Sequence, residues 1–218
     1  MAKYAAEGNR VQVVTCTDGR RGDILNPAMD RPGVLDNILD VRREEMARAA
    51  AALGVEHVWL GYEDSGLPEG DPLPPLPEGS FAVQDPEEVA VKIVERIREF
   101  RPHVIITYDE NGGYPHPDHL MVHAISMIAW ERAGDPDFAP GAGEPWTPLK
   151  LYYSHGFILQ RMKRLQERLI QRGEKSPYEL MIKRWEENEG DVFDRVTTQV
   201  ECADYFPQRA EALTAHAT

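Results

Sequence analysis

The segment Gly112-Gly113-Tyr114-Pro115-His116-Pro117-Asp118-His119 packs two imidazoles and a carboxylate into four residues held by two prolines. Neutral imidazole is the commonest side-chain ligand for zinc, so His116 and His119, three residues apart, can supply one metal ligand and one acid/base group. Asp118 can accept the ring N–H of a neighbouring histidine and fix its tautomer, or serve only as the N-cap of a following helix. The Tyr114 hydroxyl can donate to a developing oxyanion, and the Gly-Gly pair lets backbone approach a substrate closely. His119 and His123 are four apart and would share a helix face, but no Glu follows the first as in the zincin helix, which weakens that pairing. His57, His103, His155 and His216 stand alone and read as packing or surface residues.

The elements that must position this cluster are readable from periodicity. Residues 103–108 form a short apolar, β-branched strand and a helical pattern opens after His119, so the cluster sits at the C-terminal end of a strand, where open α/β sheets place their ligands. Upstream, residues 11–16 read as a strand followed by a Gly- and charge-rich loop, residues 40–53 as an Ala-rich helix ending at Gly54, and residues 56–61 as the next strand. The proline-rich stretch 68–77 suits neither helix nor central strand and reads as a surface excursion. Asp85-Pro86-Glu87-Glu88 is a helix start, with Val89, Ile93, Val94, Ile97 and Phe100 on one apolar face. A strand at 149–155 follows, and then an amphipathic basic stretch, 157–172, read as a solvated charged face in preference to an anion site. Alternating strands and helices imply an α/β fold, a mostly parallel sheet covered on both faces.

The bulk composition narrows the partners. The 218 residues are 42% hydrophobic and 28% charged with a formal net charge of −13, which disfavours nucleic acid or an anionic membrane and favours a small-molecule substrate. Two cysteines, Cys16 and Cys202, indicate neither a disulfide framework nor a thiolate metal site. No apolar run approaches the ~18 residues needed to span a bilayer and no signal-peptide layout opens the chain, so a cytoplasmic location is expected. No Gly-x-Gly-x-x-Gly or P-loop follows a strand, which sets aside a nucleotide site.

Four segments together resemble the LmbE-like, or PIG-L, zinc deacetylase family, and within it the mycothiol S-conjugate amidases of actinobacteria. They are Thr15-Cys16-Thr17-Asp18-Gly19-Arg20-Arg21-Gly22, Val41-Arg42-Arg43-Glu44-Glu45, Gly61-Tyr62-Glu63-Asp64-Ser65-Gly66, and the Gly112 to His119 cluster. The resemblance covers nearly the whole chain and implies one domain over 1–218, a Rossmann-like three-layer sandwich. It implies a zinc ion with His119 as a ligand, His116 stabilising the oxyanion or protonating the leaving amine, Tyr114 assisting, and Arg42 and Asp64 binding the sugar and inositol of the substrate. The implied reaction is hydrolysis of the amide in mycothiol S-conjugates to a mercapturic acid and glucosaminyl-inositol. The alternatives are the N-acetylglucosaminyl-inositol deacetylase of mycothiol synthesis and a sugar-binding remnant without chemistry.

One departure shapes a further expectation. The family's remaining zinc ligands and general base lie in a His-Pro-Asp-Asp motif, and this chain has only His116-Pro117-Asp118-His119. Residues 1–8 also read as the end of a helix without its beginning. The sequence is therefore expected to lack the first strand, to be truncated at its N-terminus and perhaps its C-terminus, and by itself to hold zinc weakly, fold poorly and be inactive.

Overall fold

A computed structural model describes residues 1–154, 159–188 and 195–218. His155, Phe157 and Ile158 lie outside the described residues. The elements run in chain order α1 (Ala2–Ala6), β1 (Gln12–Thr17), α2 (Pro32–Leu35), α3 (Ile38–Leu53), β2 (Glu56–Tyr62), α4 (Pro86–Phe100), β3 (Val104–Thr107), α5 (Pro117–Arg132), β4 (Lys150–Tyr153), α6 (Leu159–Gln171), α7 (Glu179–Asn188) and α8 (Phe206–Ala215). Each element read from the sequence up to residue 172 is present with ends within a few residues, whereas α2, α7 and α8 were not read and the alternation ends at β4, after which three helices follow.

Local chemistry explains the boundaries. Helix α3 stops at Gly54, whose left-handed backbone (φ 67°) suits a residue without Cβ. Helix α4 starts where the Asp85 carboxylate accepts from the Glu87 N–H with Pro86 in the first turn, and it ends on Arg101, which takes a left-handed conformation (φ 55°). The stretch 67–80 has neither helix nor strand, as its prolines require.

Both strand pairs are parallel: β1 with β2, from Gln12 opposite Glu56 to Thr17 opposite Tyr62, and β3 with β4, from Val104 opposite Lys150 to Thr107 opposite Tyr153. Among the described residues these form two two-stranded sheets with no ladder between them. Helices α4 and α5 lie across both. Cys16, Leu60 and Tyr62 of the first pair pack with Val89, Ala90, Met121 and Ile125, while Ile105 of the second packs with Val94, Ile97, Ala129 and Ala133. The opposite face is served by α3, which packs on α8, whereas Val104 and Ile106 of β3 stay exposed. This arrangement sets three loops together at the strands' C-terminal ends: 18–23 after β1, 63–66 after β2 and 108–116 after β3.

Candidate active site

The third loop is built around Asp109, a buried carboxylate whose Oδ1 accepts from the N–H groups of Asn111 (3.1 Å) and Gly113 (3.2 Å). That anchoring curls the chain through Gly112 and Gly113, both at positive φ (66° and 74°). Glycine is required at 112 on two counts: a Cβ there would meet His119 Cβ at 2.8 Å and the Tyr114 carbonyl oxygen at 3.0 Å. The curl lays the Gly112 carbonyl 2.8 Å from His119 Nδ1. A carbonyl only accepts, so Nδ1 carries the proton and Nε2 of the neutral ring carries the lone pair. The Tyr108 ring stacks on His119 at 4.2 Å, and its hydroxyl, 3.4 Å from Nε2, engages that lone pair only weakly. The Tyr114 ring stands edge-on at 4.8 Å. Burial pushes the His119 pKa below its usual value against the opposing pull of the Gly112 carbonyl, so the ring is held neutral as a base or ligand.

His116 is the N-cap of α5, because its Nδ1 accepts the Asp118 N–H at 3.1 Å. The cap sometimes supplied by an aspartate is therefore supplied here by the imidazole, and the Asp118 carboxylate is left for other work. Its Oδ2 accepts from the Ser65 N–H (3.2 Å), which ties the second loop to α5, while the buried Oδ1 has no hydrogen-bond partner among the described residues. Burial raises the Asp118 pKa, with the nearby Asp64 charge adding and the Ser65 hydrogen bond opposing. With Nδ1 accepting at the cap, His116 bears its proton on Nε2, the arrangement of a hydrogen-bond donor. The His116 and His119 ring centres are 5.0 Å apart.

Asp64 comes from the second loop with both oxygens occupied: Oδ1 accepts from Gly66 N–H (2.8 Å) and Oδ2 from Arg21 N–H (3.2 Å). Its own N–H donates to Asp18 Oδ1, and Arg20 and Arg21 both pair with Glu63, so a lattice of charges fuses the first two loops. Arg42 projects from α3 to the first loop, where Nη2 donates to the carbonyls of Gly22 (2.6 Å) and Asp23 (3.2 Å). Its hydrogen bonds thus shape the 19–23 turn and do not reach the histidines.

These donors suit a divalent cation. Ligand-type atoms of Asp64, His116 and Asp118 lie within 4.8 Å of one another; both His116 nitrogens are committed, and the orphaned Asp118 Oδ1 is the buried oxygen that a cation would satisfy. His119 stands outside that trio but presents the unprotonated Nε2 that metal coordination needs, with Nδ1 fixed by a carbonyl. The structure thus brings Tyr114, His116, Asp118, His119 and Asp64 into one neighbourhood and places Arg42 one loop away. Of the other histidines, His123 Nδ1 faces the Tyr108 carbonyl (3.1 Å), His57 bonds Thr15 across the strands (2.8 Å), and His103 stands edge-on to Trp146. Sequence reasoning missed Tyr108, Ser65, Asp18 and Arg21 as builders of the site; their position immediately after strand ends was the available signal.

Parallel strands whose C-terminal ends gather histidines and carboxylates define an α/β protein with a polar cluster at the place where such sheets hold ligands. The chain belongs to the PIG-L family, described as GlcNAc-PI de-N-acetylase, whose pattern matches residues 1–130, a family of hydrolases. It is 53% identical over 225 residues to the mycothiol S-conjugate amidase of Streptomyces coelicolor, covering 100% of this chain and 75% of that protein. Identity to the 1D-myo-inositol 2-acetamido-2-deoxy-alpha-D-glucopyranoside deacetylase of Streptomyces scabiei is 38% over 231 residues, covering 100% of this chain and 70% of that one. Among solved structures, the N,N'-diacetylchitobiose deacetylase of Pyrococcus horikoshii shares the fold, with a TM-score of 0.53 at 19% identity over 85% of this chain and 67% of that one.

Proposed function

We propose that this chain is a zinc-dependent hydrolase domain acting in the cytoplasm on the amide bond of mycothiol S-conjugates, yielding a mercapturic acid and glucosaminyl-inositol. The observation that supports the choice of substrate is the identity to an amidase across the full chain, 53% against 38% and 45% for two of the deacetylases, the latter over 164 residues. The geometry supports an amide hydrolysis. His116, with its proton on Nε2, would donate a hydrogen bond to the carbonyl oxygen as it gains charge, and the exposed Tyr114 hydroxyl would assist. Asp118 holds His116 through its backbone N–H and the second loop through its carboxylate, so both keep their positions. Asp64 receives the sugar and inositol hydroxyls, and Arg42 shapes the loop beside them. His119 through Nε2 and Asp118 through its unpartnered Oδ1 would hold the zinc, which when bound supplies Lewis-acid polarisation of the carbonyl and a more acidic water.

Turnover of a bimane conjugate of mycothiol compared with N-acetylglucosaminyl-inositol, with zinc added, tests the reading against the expectation, drawn from the missing His-Pro-Asp-Asp motif, that the chain by itself is inactive. The expected result is a kcat/KM at least about tenfold higher for the conjugate, with His116→Ala lowering kcat by about 10²–10³. A preference for the acetylated sugar would assign the deacetylase instead, and zinc-independent binding of glucosaminyl-inositol without turnover would assign a sugar-binding protein.

A further inference from the structure

Helices α6 and α7 form a hairpin held by a small core of its own, Leu159 and Met162 against Ile182 with Tyr178 packed on them, and by the Lys163–Glu186 ion pair. That core leaves much apolar surface uncovered: Ile170 is 61% and Leu180 74% exposed, with Leu165 and Met181 beside them. Arg161, Arg164, Arg168 and Arg172 are exposed as well, and none makes an ion pair among the described residues. A merely solvated basic face would carry its arginines without this apolar surface, and exposed apolar patches rimmed by charge mark contact surfaces.

The complementary surface lies elsewhere in the same chain. No Lys or Arg occurs between Arg48 and Lys92, while Glu69, Asp71, Glu78, Asp85, Glu87 and Glu88 are all exposed and make no ion pair among the described residues. Leu73, 64% exposed, and the exposed Leu67 and Val83 stud this acidic stretch. The hairpin carries exposed Glu167, Glu174 and Glu179 as well, but its basic residues are in excess, whereas the 67–88 stretch has carboxylates and no Lys or Arg; both present apolar side chains, and within one chain neither is ion-paired to the other among the described residues.

We propose that the α6–α7 hairpin of one copy docks on the acidic 67–88 surface of a second copy. The patches differ, so a two-fold pair makes the contact twice, each copy giving its hairpin and receiving its partner's. The proposal is independent of the hydrolytic reading, since neither surface contains a residue of the candidate active site.

Sedimentation velocity with paired charge reversals tests it. Wild-type protein is expected to be dimeric at about 50 μM in about 0.1 M salt, where charges act over roughly 10 Å. The hairpin variant Arg164→Glu/Arg168→Glu and the surface variant Glu69→Lys/Glu78→Lys should each dissociate, with Kd raised at least about tenfold. An equimolar mixture of the two variants should dimerise again, because both contacts in the mixed pair are complementary; this recovery also shows that both variants are folded. A monomeric wild type, a variant that stays dimeric alone, or a mixture that stays monomeric would each overturn the proposal.

Discussion

Because the Gly112 carbonyl accepts from His119 Nδ1 while the Asp118 N–H fills His116 Nδ1, two histidines three residues apart hold opposite tautomers, one a lone-pair donor and one a hydrogen-bond donor. The backbone makes that distinction, and it depends on a glycine at 112. Gly112→Ala would place a methyl 2.8 Å from His119 Cβ at a φ that disfavours side chains, so it is expected to cost about 1–3 kcal/mol in urea denaturation and to displace His119. Tyr114, His116, Asp118 and His119 were legible in the sequence because they are contiguous and carry their chemistry in their side chains. Ser65 and Arg21 were not, since they act through backbone N–H groups that any residue type can offer. Cys16 makes a separate test at this scale. Burial, with the Asp118 charge adding, pushes its thiol up to about 12, whereas Cys202 is exposed. Thiol titration at pH 8 is therefore expected to label one cysteine in the folded protein and both after denaturation, and rapid labelling of both in the native state would contradict this packing.

Helix α4 shows how far pattern reading extends and where it stops. Its start was visible in Asp85-Pro86 and its apolar face in Val89, Val94 and Ile97, all of which are buried. Arg98 gave no such signal: a basic residue in the last turn ordinarily faces water. Here it is 3% exposed and donates to four carbonyls, those of Ala133, Asp135, Phe138 and Ala139, closing the chain that leaves α5. That role belongs to the tertiary fold, because the acceptors lie more than thirty residues away. Arg98→Met keeps the stem's bulk and strands the carbonyls, so a loss of about 3 kcal/mol is expected by urea denaturation, with faster amide exchange across 133–142. Three residues on, Arg101 closes the same helix in a left-handed conformation that glycine adopts at less cost. Arg101→Gly is expected to be neutral or to stabilise by about 0.5 kcal/mol despite losing the Arg101 contact with Trp146.

Across the whole molecule, the α/β class followed from the alternation of periodicities, while the division into two strand pairs did not, since strand order is set by long-range packing that no local window contains. A helical layer, α4 and α5, joins the halves, while the first half has a connection of its own centred on Glu45. This α3 carboxylate is 1% exposed, and its Oε1 accepts from the N–H groups of Ala217 (3.0 Å) and Thr218 (2.8 Å) while Oε2 accepts from the Thr218 hydroxyl (2.8 Å). The Thr218 carbonyl in turn accepts from Leu25 N–H, and the Ala217 carbonyl accepts from the Asn26 side chain, so residues 217–218 are stitched between α3 and the stretch that follows the first site loop. One turn earlier on α3, Arg42 grips that loop at Gly22 and Asp23. Helix α3 thus holds the loop from one position and residues 217–218 from another, and α8 packs on the same helix. Glu45→Ala removes the acceptor from three donors at once. It is expected to lower stability by about 2–4 kcal/mol, to speed amide exchange in α8 and at 24–26, and to leave exchange in α4 and α5 unchanged below global unfolding. Unaltered exchange in α8 would mean that apolar packing alone fixes that helix to α3.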